Sequence, residues 1–346
     1  MHLKNTFTTL DGLDSIPLIS VDVAAPLALL EACPAHAETP LTSVPDLAAQ
    51  WGVGHLDIKD ERGRMNIGSF KALGAAYVIA HEASQAGFAD DPTVMQGRTF
   101  VSSTAGNHGV SIAAGAKVFG AKAVIYISKN VPTSFADRLR GMGAEVVVHG
   151  DNYEASMDAA MQAAKDNDWT LLSDTSWDAY TALPHRLMEG YLVLAAEAVA
   201  QMPEPPTHIM LQAGVGGLAS AAAAYFRHAW GDGPRITVVE PEFAPALINS
   251  VKAGKPVVSS GPVSDMGRLD CKDPSHIALK ALNRDASDFV TITEDEGFAV
   301  LPILAAYDLA TSTSGGAGVA AIPVYGQALG MDTTSRVLCI LSEGPA

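Results

Sequence analysis

The sequence predicts an α/β fold with two domains, in which parallel-rich sheets are flanked by helices. From residue 98 onwards, short apolar stretches alternate with helical stretches, and strands separated by helices of about 10 to 15 residues are typical of βαβ units in a parallel sheet. The chain has 346 residues, which is too long for most single hydrophobic cores. We therefore expect a large domain from residues 1–94 and 190–346, a small αβ domain from residues 95–189, and a cleft between them.

The predicted elements follow this alternation. In the small domain we expect strands at residues 99–102, 123–127, 145–149 and 170–173, and helices at residues 110–119, 134–141 and 153–166. In the large domain we expect strands at residues 55–59, 208–212, 235–240 and 336–341, and helices at residues 44–51, 72–80, 187–201, 218–227, 295–309 and 318–329. Residues 265–284 show no single pattern.

Composition argues against several classes of protein. Hydrophobic residues make up 48% of the chain, and no apolar run approaches the roughly 18 residues of a membrane span. The net charge of -16 argues against nucleic-acid binding, which needs clustered Lys and Arg. We expect no secretory signal, because Thr, Asp and Asn residues stand near the N-terminus where such a signal has an apolar region. Cys33, Cys271 and Cys339 form no CxxC pair, and the histidines form no cluster, so we expect a cytoplasmic protein without a metal site.

Lys71 is the first candidate catalytic residue. It lies in the first turn of a predicted helix that Ser69 would cap, where the helix dipole disfavours a positive charge. A lysine whose pKa is lowered there can form a Schiff base with an aldehyde cofactor or a carbonyl substrate. The alternative is a surface lysine whose ammonium group reaches the solvent.

The turn between the predicted strand 99–102 and the next helix is a candidate substrate site. Backbone N–H groups at the start of a helix bind anions, so this turn suits a substrate carboxylate. Asn107 could direct its amide at a ring hydroxyl, or it could only cap the helix. The substrate-binding candidates are Ser103, Thr104, Ala105, Gly106 and His108, although a histidine in such a position more often packs or caps a helix than acts in catalysis.

A second glycine-rich loop, residues 212–219, also lies between a strand and a helix. Its glycines would let the backbone approach a phosphate group closely. The spacing Gly214-x-Gly216-x-x-Ala219, with Glu240 at the end of the next strand, also satisfies a loose dinucleotide fingerprint, in which the acid binds a ribose. A nicotinamide-dependent oxidoreductase is therefore an alternative at this point.

Six motifs in chain order together resemble the fold-type II, or tryptophan synthase β-like, pyridoxal-phosphate enzymes. They are Thr39-Pro-Leu41, Lys59-Asp-Glu61, Gly68-Ser-Phe-Lys71, Ser103-Thr-Ala-Gly-Asn-His-Gly109, Gln212-Ala-Gly-Val-Gly-Gly217 and Leu341-Ser-Glu-Gly344. Within that group, Ser173-Asp-Thr-Ser-Trp177 with Tyr180, Met188-Glu-Gly-Tyr191 and residues 267–274 are similar to the diaminopropionate ammonia-lyases. The resemblance covers the chain from about residue 39 onwards.

This resemblance implies roles for residues around a pyridoxal 5'-phosphate cofactor. Lys71 would hold the cofactor as a Schiff base and carry the proton of the substrate α-carbon, Asn107 would bond the ring hydroxyl, and Ser342 would face the pyridine nitrogen. The backbone that would cradle the phosphate belongs to Gly214, Val215, Gly216 and Gly217. Asp174 would orient or protonate a β-amino leaving group, or would alternatively cap a following helix.

Two departures from the ammonia-lyase pattern concern the substrate. Ala105 stands where the ammonia-lyases that accept both enantiomers have an aspartate base, so we expect turnover of one enantiomer, the L form. Gly68-Ser-Phe-Lys71 and Thr104-Ala-Gly-Asn-His108 are more similar to threonine and serine dehydratases, so hydroxide is an alternative leaving group.

The prediction is a homodimeric pyridoxal-phosphate-dependent ammonia-lyase. It would perform an α,β-elimination on a β-substituted alanine such as 2,3-diaminopropionate and give a 2-oxo acid and ammonia. The alternatives are a dehydratase of threonine, serine or 3-hydroxyaspartate, a β-replacement synthase of the same fold, a nicotinamide-dependent oxidoreductase, and a ligand-binding protein without catalysis.

Overall fold

A computed structural model describes residues 1–345 of the chain. Within these residues there are eleven strands and twelve α-helices. The strands are β1 (His2–Lys4), β2 (Leu41–Ser43), β3 (His55–Asp60), β4 (Thr99–Ser103), β5 (Lys122–Ile127), β6 (Glu145–Val148), β7 (Thr170–Leu171), β8 (His208–Gln212), β9 (Arg235–Pro241), β10 (Asp288–Ile292) and β11 (Arg336–Leu341). The helices are α1 (Ala24–Glu31), α2 (Pro45–Gln50), α3 (Ala75–Gln85), α4 (Asn107–Phe119), α5 (Thr133–Gly141), α6 (Tyr153–Asn167), α7 (Ala182–Gln201), α8 (Gly217–Trp230), α9 (Ala246–Ala253), α10 (His276–Asp285), α11 (Glu294–Ala305) and α12 (Thr313–Tyr325).

The strands form two sheets. The larger sheet has seven strands in the order β1-β10-β9-β8-β11-β3-β2; its five inner strands are parallel, and β1 and β2 pair antiparallel at the two edges. The smaller sheet has the order β6-β5-β4-β7, and all of its pairs are parallel. The prediction of an α/β fold with parallel-rich sheets is therefore confirmed.

Helices cover the apolar faces of both sheets. Every residue of β4, β8 and β10 is buried, as expected for parallel strands that carry helices on both faces. The alanines of α8, residues 221–224, are also buried, and their small side chains allow α8 to pack closely between α7 and α10. No helix within residues 1–345 is long and apolar enough to cross a membrane.

Several predicted boundaries are wrong because tertiary contacts override local sequence. Helix α12 begins at Thr313 rather than at residue 318, since the Ser312 hydroxyl accepts a hydrogen bond from the Gly315 N–H group and caps the helix. Helix α7 begins at Ala182, five residues before its predicted start at 187. The prediction also lacks β10 and α10.

Both sheets direct the carboxyl ends of their parallel strands at one crevice. The loop after β8 leads into α8, the turn after β4 leads into α4, and residues 342–343 follow β11. Ligands of open parallel sheets bind outside the carboxyl ends of the strands. All candidate site residues of the sequence analysis therefore lie at or beside these strand ends.

Candidate active site

Lys71 lies in a short 3-10 helix, Phe70–Leu73, and not in the first turn of an α-helix. The Ser69 hydroxyl caps this turn by accepting a hydrogen bond from the Lys71 N–H group at 3.3 Å. The α-helix predicted from residue 72 begins only at Ala75, because Gly74, with φ -90° and ψ -90°, separates the two helices. The helix-dipole argument for an uncharged Lys71 therefore does not apply.

The Lys71 ammonium group forms an ion pair with Asp174, at 2.6 Å between Nζ and Oδ2. Burial alone would lower the pKa of Lys71, but the Asp174 carboxylate raises it above its usual value. Burial likewise would raise the pKa of Asp174, and Lys71 lowers it below the usual range. The predicted lowering of the Lys71 pKa is thus wrong, because Asp174 outweighs the effect of burial. The alternative of Asp174 as a helix cap is also wrong, since the next helix, α7, follows Thr181.

Two aromatic rings lie beside the Lys71 side chain. Its Nζ lies 5.1 Å from the ring centre of Phe70 and 5.6 Å from that of Tyr191, and the two rings are 4.9 Å apart. The Tyr191 hydroxyl is buried without a hydrogen-bond partner among residues 1–345, and burial raises its pKa to about 12. The sequence analysis noted Tyr191 only as part of a motif.

Two glycines bring α7 against the turn that carries Lys71. A Cβ atom at Gly190 would lie 1.8 Å from the Leu73 carbonyl oxygen, and one at Gly74 would lie 2.8 Å from the Tyr191 ring. Neither position has room for a side chain. Helix α7 and the Lys71 turn therefore meet backbone to backbone.

The segment that carries Asp174 is held by hydrogen bonds on both sides. The Tyr180 hydroxyl accepts a hydrogen bond from the Ser173 N–H group at 3.0 Å and donates one to the Leu171 carbonyl at 2.8 Å. The Trp177 ring stacks on Tyr180 with centres 4.5 Å apart. These contacts fix the position of the carboxylate relative to Lys71.

The turn after β4 has the form of a substrate site. The Thr104 hydroxyl accepts a hydrogen bond from the Gly106 N–H group at 3.1 Å, Ala105 is exposed, and the buried Ser103 hydroxyl has no partner among residues 1–345. His108 is buried, its Nε2 lies 2.8 Å from the Leu172 carbonyl oxygen, and burial lowers its pKa. This geometry favours the packing role for His108 over a substrate contact.

The loop after β8 fits a phosphate group. Gly216 has φ +98° and caps α8, and Gly217 is the first residue of that helix. Within the described part of the chain, the N–H groups of Gly214, Gly216 and Gly217 donate to no acceptor. Free N–H groups at the start of a helix bind anions. The exposure of Gly214 and Val215 is intermediate.

Glu240 does not have the position of a ribose-binding acid. Its carboxylate is buried and accepts hydrogen bonds from the N–H groups of Leu247 and Ile248 at 2.7 and 2.8 Å, and burial raises its pKa to about 8. Because both oxygens are bonded to the start of α9, Glu240 stabilises that helix. The dinucleotide interpretation of residues 214–240 is therefore wrong.

Residues 342 and 343 bring the end of β11 to the Lys71 turn. Ser342 is buried, and its carbonyl accepts a hydrogen bond from the Phe70 N–H group at 3.0 Å. The neighbouring Glu343 carboxylate bonds to Asn107 and Arg268. Glu343 and Arg268 were not among the predicted site residues, although both lie in segments that the sequence analysis had noted.

This arrangement fits pyridoxal phosphate. It offers an amine for an aldehyde, free backbone N–H groups for a phosphate, and the side-chain amide of Asn107, which Glu343 holds. The unpartnered hydroxyl groups of Ser103 and Tyr191 provide further polar contacts. Within residues 1–345, no group of three or more His, Cys, Asp or Glu side chains could hold a metal ion.

Comparison with known proteins identifies the family. Residues 33–343 match the family described as "Pyridoxal-phosphate dependent enzyme". The chain belongs to this family. Diaminopropionate ammonia-lyase of Escherichia coli strain K12 is 34% identical over 267 residues, covering 73% of this chain and 67% of the relative. The Salmonella typhimurium enzyme of the same name is 31% identical over 354 residues, covering 92% and 88%.

A solved structure supports the same assignment. The E. coli diaminopropionate ammonia-lyase in complex with D-serine has a TM-score of 0.89 and 27% identity, covering 99% of this chain and 93% of that one. Pyridoxal phosphate is therefore the cofactor of this chain, and the predictions of the cofactor, of fold type II and of an ammonia-lyase that performs α,β-elimination are confirmed.

Proposed function

We propose that the chain eliminates ammonia from L-2,3-diaminopropionate and releases a 2-oxo acid and ammonia. The observation that carries this proposal is the Lys71–Asp174 ion pair. The Asp174 carboxylate holds a cationic amine at this position. A β-ammonium group of the substrate would offer it the same kind of cation. A substrate with a β-hydroxyl group offers no such charge.

The remaining roles follow from the positions of the side chains. When bound, pyridoxal phosphate withdraws electrons from the α-carbon of the substrate. We assign removal of the α-proton to Lys71 and contact with the β-amino leaving group to Asp174. The turn formed by residues 103–106 binds the α-carboxylate, and the loop formed by residues 214–217 binds the phosphate. Ser342 offers a neutral hydroxyl to the pyridine nitrogen, which leaves that nitrogen largely unprotonated.

The choice of enantiomer follows from residue 105. The methyl group of Ala105 cannot take a proton. Residue 105 therefore provides no base that could remove the α-proton from the face opposite Lys71. We expect turnover of L-2,3-diaminopropionate and no elimination from, or racemisation to, the D isomer. Comparable kcat/KM values for the two isomers would contradict this assignment.

A dehydratase acting on threonine, serine or 3-hydroxyaspartate is the second candidate. The sequences Gly68-Ser-Phe-Lys71 and Thr104-Ala-Gly-Asn-His108 favour it. The anionic charge of Asp174 favours the ammonia-lyase, because expulsion of hydroxide gains nothing from a neighbouring carboxylate that stays ionised.

The test combines a spectrum with a substrate panel. The purified protein loaded with pyridoxal phosphate should show a visible absorbance band that borohydride removes and that the Lys71→Ala variant lacks. Ammonia and keto acid should form from L-2,3-diaminopropionate faster than from serine, threonine or 3-hydroxyaspartate. Absence of the Lys71-dependent band would refute the site assignment, and a higher kcat/KM for a hydroxy amino acid would favour the dehydratase.

We also propose a cytoplasmic homodimer whose small domain spans residues 95–189. The separate four-stranded sheet formed by β6, β5, β4 and β7 supports the domain division. The three cysteines are all free, which is compatible with a reducing compartment. Light scattering coupled to size-exclusion chromatography tests the dimer, and a mass of one chain would refute it.

A further inference from the structure

Glu343 is a buried carboxylate at the wall of the crevice, and three donors hold it. Its Oε2 accepts a hydrogen bond from Asn107 Nδ2 at 2.6 Å and forms an ion pair with Arg268, 2.8 Å from Nε. Its Oε1 accepts a hydrogen bond from the Ser312 hydroxyl. Glu343 is only 4% exposed; burial raises the pKa of its carboxyl group, and Arg268, the Ser312 hydroxyl, Lys71 and Asn107 act against that rise. Both oxygens are therefore engaged.

The Glu343 oxygen that also faces the Arg268 guanidinium controls which way the neighbouring Asn107 amide points. An asparagine side chain has one oxygen that accepts and one nitrogen that donates two hydrogen bonds, whereas a carboxylate only accepts. Contact with Glu343 therefore requires Asn107 to present its nitrogen. The opposite orientation would place the amide oxygen against the carboxylate, where two acceptors repel each other.

The second N–H of the Asn107 amide remains free. Among residues 1–345, its nitrogen donates to Glu343 and to no other acceptor. Asn107 is the first residue of α4, and Glu343 follows β11, so the contact joins the two sheets across the crevice. The free N–H thus belongs to the Asn107 Nδ2 nitrogen, which Glu343 holds in position from the other side of the crevice.

We propose that Glu343 is a positioning residue for the cofactor: it orients the Asn107 amide so that the second N–H can donate to the ring hydroxyl oxygen of pyridoxal phosphate. This inference rests on the proposed role of Asn107. Glu343 does not touch the cofactor in this scheme and acts through Asn107. Arg268 and Ser312 keep the carboxylate from turning away.

The test replaces the carboxylate by a group of the same shape that can also donate. In Glu343→Gln, the Asn107 amide can pair with the new amide in either orientation, and the second N–H is no longer fixed. We expect pyridoxal phosphate to bind about 10-fold more weakly, the size expected for one lost hydrogen bond to a charged or polar acceptor. The visible absorbance band of the bound cofactor should also change in wavelength or in its dependence on pH.

A double-mutant cycle separates this role from a merely structural one. If Glu343 acts through Asn107, then Glu343→Gln should weaken cofactor binding in the wild type but by less than about 2-fold in the Asn107→Ala background. Equal losses in both backgrounds would overturn the inference. Wild-type affinity and spectrum in Glu343→Gln would overturn it as well.

A second variant covers the case in which Glu343→Gln does not fold. Arg268→Met removes a group that holds the carboxylate and leaves both Glu343 and Asn107 in place. We expect about 3-fold weaker cofactor binding, which should vanish in the Asn107→Ala background. Persistence of the loss in that background would refute the inference. Failure of the proposed site assignment is recognised separately, because wild-type protein would then lack the Lys71-dependent band.

Discussion

The contact between Gly190 and the Lys71 turn gives a sharp test of how the site is positioned. In Gly190→Ala the new methyl group would lie 1.8 Å from the Leu73 carbonyl oxygen and 3.2 Å from the Tyr77 Cβ atom. Carbon and oxygen atoms that are not bonded approach no closer than about 3 Å. Helix α7 and the turn must therefore separate by roughly 1 Å or more.

The size of the effect follows from this displacement. Inserting a methyl group into a packed interior costs about 1 to 3 kcal/mol in the free energy of unfolding. A shift of about 1 Å at a reacting group costs about 100-fold in rate. We expect Gly190→Ala to lower kcat by about two orders of magnitude at saturating pyridoxal phosphate, measured by ammonia release, with a matching loss of stability in urea.

Gly141→Ala is the matched control. A Cβ atom at Gly141 meets no atom within 4 Å, and this residue is the last of α5. Alanine is more favourable than glycine in a helix by up to about 1 kcal/mol, so the control should keep its activity and its stability. The reasoning is refuted if Gly190→Ala retains activity within 2-fold of the wild type.

Three further predictions concern charged and hydroxyl side chains. Asp174→Asn removes the carboxylate that raises the Lys71 pKa, so the cofactor-free variant should capture pyridoxal phosphate more than about 10-fold faster at pH 7.5. Because the wild-type Lys71 pKa lies above its usual value, the wild-type rate should rise about 10-fold per pH unit between about 7 and 9, in step with the small fraction of neutral amine. Unchanged rates in rapid-mixing absorbance would contradict this. Arg64 forms ion pairs with both Glu61 and Glu197. Arg64→Met leaves these two carboxylates buried without their shared partner and should lower the free energy of unfolding in urea by about 3 to 5 kcal/mol. A loss below about 1 kcal/mol would argue against a stabilising role for these ion pairs. Tyr191→Phe removes a hydroxyl group that has no hydrogen-bond partner among the described residues, so the free energy of unfolding should change by less than about 1 kcal/mol. A larger loss of stability in thermal unfolding would mean that the hydroxyl group is hydrogen-bonded.

Local patterns were sufficient to predict much of the fold. The predicted strands at 208–212 and 336–341 coincide with β8 and β11, because short apolar runs between polar turns define buried strands well. The glycine loop after β8 was also predicted, since its residues adjoin one another in sequence. The cofactor and the family were predicted from such local motifs and from their order along the chain.

Other features depend on residues that are distant in sequence. The Lys71 pKa was predicted in the wrong direction because its partner, Asp174, lies 103 residues away, and Asn107 meets Glu343 across 236 residues. The glycines that open α12 were predicted as a loop, yet a Cβ atom at Gly315 would lie 2.2 Å from the Thr311 hydroxyl oxygen. In that helix glycine serves close packing, which sequence periodicity does not reveal.

The place of β11 in the larger sheet has a consequence for synthesis of the protein. This strand follows every other strand in the chain, yet it pairs with β8 on one side and β3 on the other. A ribosome therefore makes both halves of the sheet before the strand that joins them, and contacts between distant residues form slowly. Residues 342 and 343 reach the Lys71 turn only after β11 has been made. A nascent chain consequently carries its reactive lysine through the synthesis of all the intervening strands before the site around it can close.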